Sequence, residues 1–86
     1  MNRRETWRPV LDAEIKRWEA KSFAQLVAEL EDEKVYELKF EGQEFQVEVH
    51  VLESNAESIH VCVSVDDGTL PASIFPLSAS FIRRRI

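Results

Sequence analysis

Two histidines, a cysteine and a glutamate are the side chains here best suited to chemistry: His50, His60, Cys62 and Glu48. Together they form a complete ligand set for Zn²⁺, or for Ni²⁺ or Cu²⁺, provided they converge. Cys62 with either imidazole would also make a thiol nucleophile and its base. No local motif joins them, so only strand pairing can bring them together.

The elements that must position them are legible as alternation. Tyr36, Leu38 and Phe40 alternate with Val35, Glu37 and Lys39. Phe45, Val47, Val49 and Val51 alternate with Glu44, Gln46, Glu48 and His50. Ile59, Val61, Val63 and Val65 alternate with Ser58, His60, Cys62 and Ser64. A period of two gives each strand one apolar and one polar face. A tight turn at Glu41-Gly42 pairs residues whose numbers sum to 83, setting Leu38 against Phe45 and Tyr36 against Val47. A connection over Glu53–Glu57 pairs residues summing to 110. That register predicts His50 opposite His60, and Glu48 opposite Cys62, about 4.5–5.5 Å apart at Cβ on the polar face. Against this stands the ordinary composition of a solvated sheet face, which is polar without being a site. The sequence also offers no partners to orient the imidazoles.

The N-terminal third reads as helix. Leu11, Ile15 and Trp18 share one face, and Pro9 suits a first helical turn. Trp18 belongs to the core stripe, whereas Trp7 precedes the helix and its place is open. Ser22-Phe23-Ala24-Gln25 matches a capping box, so the helix restarts or bends there. The acidic run Glu29–Glu33 opposes the macrodipole at a helix C-terminus and helps end it. Asp66-Asp67-Gly68 reads as a turn. Pro71 and Pro76 restrict residues 72–77 to an edge strand at most, and Ser78–Ile82 is either strand or short helix. The expected fold is α+β: an N-terminal helix or helix pair packed on one face of a three- to four-stranded antiparallel meander. Residues 1–86 form a single domain, with 1–33 helical, 34–82 antiparallel sheet and 83–86 a basic tail.

Net charge is −5 and unevenly placed: residues 1–28 sum to +2, 29–65 to −8 and 66–86 to +1. The acidic middle repels phosphate backbones and disfavours a nucleic-acid partner. Arg83-Arg84-Arg85 reads as an exposed tail or as a partner for that acidic middle. No apolar run approaches the roughly 20 residues of a membrane span. One cysteine permits no internal disulfide, which fits a cytoplasmic chain. With only Gly42 and Gly68, there is no phosphate-cradling loop.

The order of elements resembles small bacterial single-domain α+β proteins of no assigned activity. The likeness runs through Trp18 at the end of a first helix, Ser22-Phe23-x-x-Leu26, the Gly42 hairpin, Val63-Ser64-Val65-Asp66-Asp67-Gly68 and Pro76-Leu77-Ser78-x-Ser80-Phe81-Ile82. It implies a bacterial cytosolic origin and carries over no site residue. The leading expectation is a non-enzymatic protein-interaction module that binds a protein partner or a second copy of itself, as a homodimer. It would use its acidic surface or open sheet face, without catalytic residues, cofactor, nucleic acid or membrane. The alternative is a transition-metal binding or sensing domain through His50, His60, Cys62 and Glu48.

Overall fold

The computed structural model describes residues 3–68 and 77–85. Two helices, α1 (Arg3–Glu19) and α2 (Phe23–Glu29), precede four strands: β1 (Lys34–Phe40), β2 (Gln43–Ser54), β3 (Ser58–Asp66) and β4 (Leu77–Arg84). The strands form one antiparallel meander in the order β1-β2-β3-β4. Both helices pack on one face, α1 over β3 and β4, α2 over β3. No described helix is long and apolar enough to cross a membrane.

Pro9 does not open α1, which starts at Arg3 and keeps Pro9 in its interior. The cause is Trp7, which is fully buried together with Val10 and Leu11. Burying an indole removes roughly 150–250 Å² from water, worth about 4–6 kcal/mol. That exceeds the penalty of about 3 kcal/mol for an interior proline. Pro9 itself lies on the exposed side of the helix.

Ser22 separates the helices by the expected device. Its hydroxyl accepts from the Gln25 backbone N–H at 3.2 Å, and the Gln25 side chain accepts from the Ser22 N–H at 3.0 Å. The chain thereby restarts as α2, burying Leu26 and, at the cap, Leu30. Of the acidic run Glu29–Glu33, Glu29 closes the last turn of α2 and the other carboxylates follow the helix end.

The β1–β2 hairpin has the register expected from its alternation, with Leu38 opposite Phe45 and Tyr36 opposite Val47. Glu41 (φ 51°) and Gly42 (φ 79°) both take positive φ, the requirement of a two-residue turn matched to strand twist.

The β2–β3 register departs from expectation. The Asn55 side chain accepts from the backbone N–H of Glu57 (2.8 Å) and Ser58 (3.0 Å), while the Asn55 N–H donates to the Ser58 carbonyl at 3.0 Å. The turn is thus tighter than a five-residue loop, and Ser54 pairs with Ile59. Continued unbroken, that register would set Val51 against Cys62, Val49 against Ser64 and Val47 against Asp66, apolar side chains against polar ones. A bulge between Val51 and Glu53 absorbs one residue. Beyond it Val51 faces Val61, Val49 faces Val63 and Val47 faces Val65. Of these six valines only Val51 is half-buried, and the other five are fully buried. The bulge restores the face that the turn alone would have lost.

Ser78–Ile82 is strand, and β4 runs on through Arg84. Arg83 and Arg84 pair with Ile59 and Ser58, and the Arg85 N–H donates to the Glu57 carbonyl at 2.8 Å. The basic run is therefore the end of the sheet, not a tail from residue 83. The expectation for residues 72–76 lies outside the described residues. Gly68 (φ 76°) closes the turn after β3 by donating to Asp66 Oδ1 at 2.8 Å.

Candidate functional site

The altered register decides the fate of the expected metal ligands. His50 stands opposite Cys62, Glu48 opposite Ser64, and His60 opposite Glu53. The shift keeps all of them on the uncovered face but moves the two imidazoles out of direct opposition. His60 Nε2 lies 3.0 Å from Ser80 Oγ, a hydrogen bond to the next strand. His50 Nδ1 is 3.7 Å from Glu48 Oε1, too far for one, and has no other partner. Cys62 Sγ has Ser64 Oγ at 3.9 Å. Among the described residues no three His, Cys, Asp or Glu side chains converge to hold a metal. The ligand set His50, His60, Cys62 and Glu48 is not assembled, because the Asn55 turn and the bulge set a different pairing.

The polar cluster that does form lies on the covered face. α1 places Trp7, Val10, Leu11, Glu14 and Trp18 on one buried stripe, with a carboxylate in the middle of it. Tyr36, projecting from β1, donates its hydroxyl proton to Glu14 Oε1. Trp18 Nε1–H donates to the Tyr36 hydroxyl at 2.9 Å, and Arg17 Nη1 reaches Glu14 Oε1 at 3.4 Å. The Arg17 guanidinium also lies 5.7 Å from the Tyr36 ring centre. Lys21 sits 5.2 Å from the Trp18 ring and pairs with Glu29 at 3.1 Å.

A buried carboxylate is costly unless its oxygens are partnered, and here Tyr36 and Arg17 partner one of them. The Tyr36 phenol is pushed up to about 12, first by burial and then by its hydrogen bond to the Glu14 carboxylate. Trp18 and Arg17 pull the other way and do not overcome this. A phenol so held stays protonated at neutral pH. The cluster ties α1 to the edge strand β1. No local motif marks Glu14, yet the sequence carries a signal: it lies three residues after Leu11 and four before Trp18, inside the apolar stripe.

The uncovered face carries a different chemistry. Glu37, Glu44, Glu48, Glu53 and Asp66 share it, against the cations of Lys39 and Arg84. Over β3 and β4 it carries five small side chains, Ser58, Cys62, Ser64, Ser78 and Ser80, beside His60, Asp66, Ile82 and Arg84. Val35 on β1 and Ile82 on β4 are 64% and 61% exposed there. No family model matches the chain, and neither a curated protein nor a solved structure matches it.

Proposed function

We propose that this chain is a non-enzymatic cytoplasmic interaction module whose uncovered sheet face binds a basic segment of a partner protein. One observation carries the reading: five carboxylates share that face with two cations, while the helices occupy only the opposite face. An acidic face of this kind attracts cationic partners and speeds their encounter. It also repels phosphate, which disfavours a nucleic-acid partner. Exposed Val35 provides apolar contact between the charges. The polar groups with firm partners, Glu14 and Tyr36, serve to join α1 to the sheet.

The test is a titration of the isotope-labelled chain with a lysine-rich amphipathic peptide, followed by backbone NMR shifts. The expected result is a set of shifts confined to β1, β2 and β3 that weaken as salt rises. The triple variant Glu37→Gln/Glu48→Gln/Glu53→Gln should weaken binding by about tenfold or more. Shifts centred on the helices, or binding indifferent to the triple variant, would overturn the reading.

A further inference from the structure

The two edges of the sheet are defended unequally. β1 carries charge along its length, at Lys34, Glu37 and Lys39. β4 has none of these devices from Leu77 to Ile82: no charge, no proline, no glycine and no bulge against β3. Among the described residues its one neighbouring strand is β3, and its outer edge carries no charge until Arg83 and Arg84 at its end. Natural proteins seldom leave such an edge without a use.

We infer that β4 pairs antiparallel with β4 of a second copy, joining the two sheets into one of eight strands about a two-fold axis near Phe81. The charges specify both partner and direction. The basic end, Arg83–Arg85, would lie beside its own copy in a parallel pairing, which like charges oppose. In the antiparallel pairing each basic end meets the other end of the partner strand. A register centred on Phe81 sets Ser78 opposite the partner's Arg84 and Ser80 opposite the partner's Ile82. Ser78 itself pairs with Ser64, two residues before Asp66 on the same face. The partner's Arg84 therefore approaches the acidic side of the sheet, and the two-fold repeats the contact. The exposed Ile82 of each copy comes to lie diagonally across the axis from the other, within reach for packing. A small chain gains burial by this route that it lacks alone. The inference stands apart from the peptide-binding reading, because it uses the backbone edge of β4 and not the acidic face over β1 and β2.

Sedimentation equilibrium of the full chain from micromolar to millimolar concentration tests it. The expected species has twice the 10.0 kDa mass of the chain and dissociates as salt rises. Ile82→Lys, which brings lysines together across the axis, should weaken self-association by about tenfold or more with the far-ultraviolet circular dichroism unchanged. Val35→Lys, on the opposite edge strand, should leave the dimer intact. A chain that stays monomeric at millimolar concentration would overturn the inference, as would a dimer indifferent to Ile82→Lys or abolished by Val35→Lys. If Ile82→Lys does not fold, amide exchange of the unmodified chain decides. Protection of alternate β4 amides that rises with concentration supports the pairing, and unchanged exchange there overturns it.

Discussion

The two faces of this sheet come from the same strands, residue by residue in alternation, yet they are held by opposite physics. On the covered face Phe45, Val47, Val49, Ile59, Val61, Val63 and Val65 are buried beneath Trp7, Leu11, Trp18 and Leu26. A lone carboxylate enters that layer only with a phenol and a guanidinium to meet it. On the uncovered face carboxylates stand in solvent, and the histidines meet different neighbours instead of each other. One face shows what a small domain must spend its apolar residues on. The other shows what it is free to vary.

The sharpest way to break this comparison is to make matched truncations. Trp7→Ala should cost about 3–5 kcal/mol in urea denaturation, because a fully buried indole leaves a cavity. Val35→Ala, 64% exposed on the other face, should stay within about 0.5 kcal/mol. Comparable losses at the two sites would mean that the open face is not open.

The buried polar cluster gives the next largest effect. Tyr36→Phe removes a partner of the Glu14 carboxylate and should cost about 1–3 kcal/mol by the same measurement. Titration reads the same contact independently. Tyr36 is the one tyrosine of the chain, so tyrosinate absorbance reports it alone. Its folded pKa of about 12 lies above the ordinary phenol value of 10.0. The folded state therefore holds this proton more tightly than the unfolded state. The associated stability is fully present below pH 10.0 and is lost as pH rises toward about 12. Glu14→Gln should bring the absorbance midpoint down toward 10.0, since the carboxylate is one of the groups raising it. A midpoint unmoved by the substitution would place the origin of the shift in burial alone.

A smaller loss than that of Tyr36→Phe belongs to α2, over the covered face. Ser22→Ala removes the hydroxyl half of the capping box and should destabilise by about 1 kcal/mol, with α2 amides exchanging faster than those of α1. Equal acceleration in both helices would show that they open as one unit.

Sequence reasoning read the sheet well where the signal was local. The alternation and the Glu41-Gly42 turn sufficed for the β1–β2 register, because a two-residue turn leaves one pairing that keeps the apolar faces together. The capping box at Ser22 marked the restart of the helix for the same reason, since both of its hydrogen bonds lie within four residues. At β2–β3 alternation left two registers two residues apart, both with apolar facing apolar, and could not choose between them. The Asn55 side chain and the bulge beyond Val51 made the choice. The candidate ligand set depended on that choice and dissolved with it.

By itself the sequence determined the class of fold, the count of strands to within one, the apolar face of each strand and the helix break at Ser22. These follow from periods and short hydrogen-bonded patterns that span a few residues. Tertiary structure alone decided that Trp7 draws Pro9 inside a helix, that Glu14 finds Tyr36 across 22 residues of chain, and that His50 meets Cys62. Each of these depends on which distant surfaces are pressed together, and burial energies of several kcal/mol override local preferences of about 3 kcal/mol or less.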